Sequence, residues 1–103
     1  MITQKSRKII KSFSEAVVRE INSSEEINMS VDAYENYSND HQICYNFAWN
    51  LFNDIQVIFY EHGKGEELVM YFTGESKEFK LVDPQSYNTA VLETKRRIHE
   101  ASK

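Results

Sequence analysis

Apolar residues recur at helical intervals near both ends of the chain and at every second position between them. Ile9, Ile10, Phe13, Ala16, Val17 and Ile21 follow three- and four-residue spacing, with Lys5, Lys8, Lys11, Glu15 and Arg19 between them. That pattern predicts an amphipathic helix, with Thr3 as a candidate N-cap. It fades at Asn22-Ser23-Ser24, whose side chains compete for backbone hydrogen bonds.

From Ile27 the period changes to two. Met29, Val31 and Ala33 alternate with Ser30, Asp32 and Tyr34, and after Tyr37-Ser38-Asn39-Asp40 the residues Ile43, Tyr45, Phe47 and Trp49 alternate with Gln42, Cys44 and Asn46. Two half-buried antiparallel strands are expected. Asn50 to Asp54 connect to a third strand, Ile55 to Glu61. A two-residue turn at Gly63-Lys64 sets Phe59 opposite Leu68, Val57 opposite Met70 and Ile55 opposite Phe72, all on one face. A second turn at Gly74-Glu75-Ser76-Lys77 sets Phe72 opposite Phe79 and Met70 opposite Leu81. Asp83-Pro84 then starts a helix, Asp as cap and Pro at the first helical position. Tyr87, Val91, Thr94 or Lys95, and Ile98 form its stripe. The whole, residues 1–103, is expected to be one α+β domain. It reads as a two-layer sandwich of an N-terminal helix, a five-stranded antiparallel meander and a C-terminal helix, with both helices on one sheet face.

Composition adds a charge pattern. Residues 1–22 balance at +3, residues 23–83 at −9 and residues 84–103 at +2, for a net −4. Helices that are basic and a middle that is acidic should give the fold an acidic and a basic side, which bears on partners rather than on fold. The single Cys44 cannot form an internal disulfide, and no apolar stretch resembles a signal peptide or a membrane span. A cytoplasmic protein is therefore expected. The richness in Asn, Lys, Ile and Tyr, whose codons are AT-rich, fits a low-GC bacterium, a phage or a mobile element.

Candidate chemistry is sparse. His62-Gly63-Lys64-Gly65 lacks the glycine spacing and following Ser/Thr of a phosphate loop. It runs instead into Glu66-Glu67, so a plain turn is the reading. His41 and Cys44 point to opposite faces of a strand, and no second His/Cys pair completes a zinc site. Glu61, Glu66, Glu67 and Asp83 read as solvated hairpin ends. No catalytic residue, metal or cofactor is assigned, and an enzyme is not expected. Leu51 and Phe52 lie in the connection before the third strand. They are either exposed at a hairpin tip or carried through a bulge that buries one of them, and the second reading is favoured.

The face turned away from the helices is the strongest candidate site. By register it holds Asp32, Tyr34, Gln42, Cys44, Asn46, Ile58, Tyr60, Glu67, Val69, Tyr71, Glu78 and Lys80. Tyrosines and aliphatics edged by carboxylates suit a protein interface. Asp32, Tyr34, Ile58, Tyr60, Glu67, Val69, Tyr71 and Glu78 are taken as the partner-binding set. The function expected is a small acidic non-enzymatic binding module for a protein with a basic surface, of the inhibitor, immunity or antitoxin kind. Nucleic-acid or phosphate binding through Lys5, Lys8, Lys11 and Lys95-Arg96-Arg97 is the alternative, disfavoured by the net acidic charge. A homodimer through the outer face or an edge strand is the third reading, and no membrane role is expected. The element order resembles that of frataxin-like proteins and, with two further strands, the double-stranded-RNA-binding domain. A basic first helix departs from the former, and the lysine-free start Asp83-Pro84-Gln85 departs from the latter, so no functional residues are carried over.

Overall fold

A computed structural model describes residues 1–24 and 29–103. Its elements are α1 (Gln4–Asn22), β1 (Asp32–Ser38), β2 (Gln42–Ala48), β3 (Asp54–His62), a short 3-10 turn (Gly63–Gly65), β4 (Glu67–Phe72), β5 (Phe79–Lys80) and α2 (Pro84–Ala101). The strands form one antiparallel sheet in chain order, β1-β2-β3-β4-β5. The strand start expected at Ile27 lies outside the described residues.

Both helices begin as their sequences dictate. Thr3 Oγ1 accepts from the Ser6 N–H, and Asp83 accepts from the Ser86 N–H with Pro84 in the first turn. They lie on one face of the sheet, side by side and parallel: Ser12 meets Tyr87 at 2.9 Å and Glu20 meets Lys95 at 3.4 Å. Phe13 is the hub between them. Fully buried, it stands edge-on to Phe47, Phe59 and Tyr87 at centroid separations of 6.5, 5.7 and 5.7 Å. Aromatic pairs prefer this T-shaped geometry over face-to-face stacking. Of the two candidates for the α2 stripe, Thr94 is the one buried, its hydroxyl donating to Ala90 O.

The hairpin registers differ from the expected ones by two residues. Phe59 pairs with Met70 and Val57 with Phe72, while Met70 pairs with Phe79. For the β3–β4 pair the cause is the loop between the two strands. Gly63, Lys64 and Gly65 all take left-handed φ, at 61°, 55° and 92°, and the Glu66 N–H returns to Gly63 O. The loop thus holds four residues, Gly63 to Glu66, inside the closing pair His62–Glu67. A shift of two leaves every side chain on its expected face, because the strand period is two. Gly65 is also where this loop meets α1: a Cβ there would come within 2.9 Å of Thr3 Oγ1.

A second irregularity does change a face. Between Glu35 and Tyr37 the β1–β2 pairing slips, so that Tyr37 partners Cys44. The extra residue, Asn36, is a β-bulge. Glu35 therefore faces the helix layer, where Arg7 of α1 reaches it at 3.5 Å, and Tyr37 is turned to the opposite face.

Candidate functional site

Strand pairing arranges the uncovered face in rows that run across the sheet. Asp32, Ala48 and Asp54 form the row at one end. Tyr34, Asn46 and Gln56 form the next, followed by Tyr37, Cys44, Ile58 and Tyr71. Gln42, Tyr60, Val69 and Lys80 come after them, then His62 and Glu67. Of the expected partner-binding set, Asp32, Tyr34, Ile58, Tyr60, Glu67, Val69 and Tyr71 are thus brought onto one face. Glu78 is exposed just before β5 and borders the same face, in a shallow groove of about 430 Å³ with Gln42, Tyr60, His62 and Tyr71.

The rows divide into floor and rim. Cys44, Asn46, Ile58 and Val69 are buried although no helix covers them, with Ile58 6% and Val69 2% exposed. They share their rows with larger side chains: Tyr34 with Asn46, Tyr37 and Tyr71 with Cys44 and Ile58, and Tyr60 with Val69. Tyr60 and Tyr71 are half-buried, Tyr60 edge-on to His62 at 4.4 Å and Tyr71 accepting weakly from Gln42 Nε2 at 3.4 Å. Tyr34 and Tyr37 stand out, 48% and 52% exposed. Ile58 and Val69 therefore support the surface rather than form it. Tyr37 belongs to that surface and escaped sequence reasoning, because only the bulge turns it outward and no residue in the run announces a bulge.

Carboxylates set the electrostatics of the face. Glu67 pairs with Lys80 at 3.4 Å, whereas Asp32 and Asp54 have no ion-pair partner among the described residues. Burial, and after it the charge of Asp54, push the Cys44 thiol upward, so it stays protonated and a poor nucleophile. Among the described residues no three His, Cys, Asp or Glu side chains converge to hold a metal ion. Elsewhere, a groove of about 480 Å³ runs between α1 and the edge strand β1, past Val18, Ala33 and Tyr45.

The basic residues of the helices divide in two. Lys95 pairs with Glu20, Arg96 with Glu93 at 2.6 Å, and Arg97 with both Glu93 and Glu75. The Arg97 guanidinium also lies 3.9 Å from the Phe72 ring centroid, a cation–π contact. The run 95–97 is thus engaged within the fold. Lys5, Lys8 and Lys11 have no carboxylate partner among the described residues.

Leu51 and Phe52 correct the reading that favoured burial. They are 94% and 92% exposed at the tip between β2 and β3. The strand does not continue through a bulge, because the tip closes immediately after Ala48. The Trp49 N–H donates to Asn53 O, and Asn50 Oδ1 accepts from the Phe52 N–H and from Asn53 Nδ2, both at 2.9 Å. Side-chain capture of nearby backbone is what Asn offers at turns.

No family model, curated protein or solved structure matches the chain. No helix among the described residues is long and apolar enough to cross a membrane.

Proposed function

We propose that the protein is a non-enzymatic binding module that presents its uncovered sheet face to a partner protein with a basic surface, as inhibitors, immunity proteins and antitoxins do. One observation carries this reading: Tyr34, Tyr37, Tyr60 and Tyr71 sit on the sheet face opposite both helices, over a buried floor and beside Asp32 and Asp54, which have no ion-pair partner among the described residues. Tyrosine supplies large contact area at low entropic cost, and exposed carboxylates steer a basic partner and set its orientation. The engaged run 95–97 counts against the alternative of nucleic-acid or phosphate binding, which is left with Lys5, Lys8 and Lys11.

The test is retention from a lysate of the native host by the immobilised protein, with the retained proteins identified by mass spectrometry. Wild type is compared with Tyr34→Ala/Tyr37→Ala and with Lys8→Glu/Lys11→Glu. A basic protein held by wild type should be lost about tenfold or more with the tyrosine variant and kept by the lysine variant. Equal retention by the tyrosine variant, or loss only with the lysine variant, would overturn the proposal.

A further inference from the structure

Asn46 sits on the uncovered face, between inward-pointing Tyr45 and Phe47 on β2, and is 5% exposed. Its Nδ2 donates to Asp54 Oδ2 at 2.5 Å. That bond fixes the amide orientation, since a flipped amide would set its carbonyl oxygen against the carboxylate. Asn46 Oδ1 is then a buried acceptor with no hydrogen-bond partner among the described residues. Folded proteins satisfy nearly all such atoms, and an unsatisfied one calls for an explanation.

We infer that this corner of the face is a subsite for a guanidinium group, supplied by an arginine side chain of the partner. The inference rests on the proposed reading of the face as a surface for a basic protein. The surroundings match that chemistry. Asp54 and Asp32 flank Ala48 in the adjoining row, both exposed and without an ion-pair partner among the described residues. Tyr34 is the cross-strand neighbour of Asn46, and its ring is half exposed. A guanidinium has five donors and no acceptor in one plane, so it can donate to the amide oxygen and to the adjacent carboxylate while lying against an aromatic ring. An ammonium carries the charge but neither the fork nor the flat face.

The chain's own arginines leave the corner open. Arg7, Arg19, Arg96 and Arg97 are all on α1 and α2, and among the described residues none pairs with Asp32 or Asp54, although Arg19 borders the groove that Asp32 also lines. Both helices pack on the opposite face, and Asn46 lies between neighbouring side chains. Tyr34 and Gln56 are the register partners on either side, and neither side chain makes a hydrogen bond among the described residues. No hydrogen bond holds either side chain in place, and an arriving guanidinium donor would satisfy the acceptor between them.

Two-dimensional ¹H–¹⁵N spectra of the full chain, titrated with N-acetyl-arginine amide and in parallel with N-acetyl-lysine amide, test this. The arginine probe should shift the Asn46 side-chain amide and the backbone amides of Tyr34, Asn46 and Gln56. The lysine probe should bind the corner several-fold more weakly. Asp54→Asn should weaken the arginine response about five- to tenfold, and Tyr34→Ala about threefold. Glu100→Gln, exposed on α2 across the sheet, should leave the response unchanged, and each spectrum reports whether its variant is folded. Equal responses to the two probes, shifts spread over the acidic surface, or a response undiminished in Asp54→Asn would overturn the subsite. If the titration fails while the tyrosine variant still loses the retained basic protein, the subsite alone falls. If the corner binds the arginine probe and retention is indifferent to the tyrosines, the proposed function falls and the subsite stands.

Discussion

The two faces of the one sheet bury their residues by different means. On the helix side Phe13, Phe47, Phe59, Leu68 and Met70 are fully buried between two layers, each apolar surface meeting another. On the other side Cys44, Ile58 and Val69 are almost as inaccessible, yet no helix among the described residues packs over them, and longer side chains share their rows. Their row neighbours Tyr60 and Tyr71 are half-buried on the side a partner would meet. The lesson is that accessibility alone does not tell a core from a floor. The difference lies in what has to move to reach water.

The largest effect should separate the faces directly. Phe13→Ala removes a ring packed edge-on to three others and leaves a cavity that two helices and a sheet cannot close. A loss of about 4 kcal/mol is expected. Ile58→Ala, at a site almost as hidden by accessibility, should cost only about 2 kcal/mol, because tyrosines and water settle into the gap. Urea unfolding of both variants measures this. Equal losses would mean that the open face is packed as tightly as the core.

Where this division was legible in the sequence, and where it was not, follows from the range of the forces involved. The caps Thr3 and Asp83, the helical stripes and the alternation on β2 and β3 depend on residues a few positions apart. Each of these was readable. So was the assignment of every β3 and β4 side chain to its face, which survived a register error of two. Three things were hidden. The left-handed run Gly63-Lys64-Gly65 lengthened its turn, although two glycines there fit a two-residue turn equally well. The bulge at Asn36 turned Tyr37 outward, and what stands opposite it is Glu35 held by Arg7 from a helix some thirty residues away. The orphaned Asn46 Oδ1 depends on a partner, Asp54, on another strand. The candidate face was therefore legible in outline, while its rim, its floor and its unsatisfied corner depended on contacts between elements.

A mid-sized effect should come from the joint between α1 and the end of β3. Glu61 accepts from the Thr3 N–H and at 2.7 Å from Thr3 Oγ1, while Thr3 Oγ1 caps the helix at Ser6 N. Burial pushes the Glu61 carboxyl upward, but the Ser6 hydroxyl beside it and the Thr3 donors outweigh that and hold it below its ordinary 4.5. A carboxylate whose folded value is depressed stabilises the fold above the unfolded value and ceases to as pH falls through the folded one. Glu61→Gln should therefore cost about 1 kcal/mol at neutral pH. The gap between wild type and variant should close as pH drops below 4.5. Thermal melts at pH 7 and pH 3 measure it, and a gap independent of pH would assign the effect to shape rather than charge.

The smallest effect belongs to the tip, which is part of neither face. Leu51 and Phe52 are nearly as exposed in the fold as in an unfolded chain. Removing their apolar surface changes both states alike, so Leu51→Ser/Phe52→Ser should move stability by no more than about 0.5 kcal/mol. The tip's shape rests instead on Asn50, whose Oδ1 accepts two hydrogen bonds. Asn50→Ala should therefore cost more than the double change of its two large neighbours, about 1 kcal/mol. Urea unfolding of the two variants side by side decides it. A loss of about 2 kcal/mol or more for the serine pair would mean that one of these side chains packs into the core, restoring the strand that runs on through a bulge. A small loss, with the larger one at Asn50, would fix the tip as a turn held by polar bonds that displays its apolar residues to solvent.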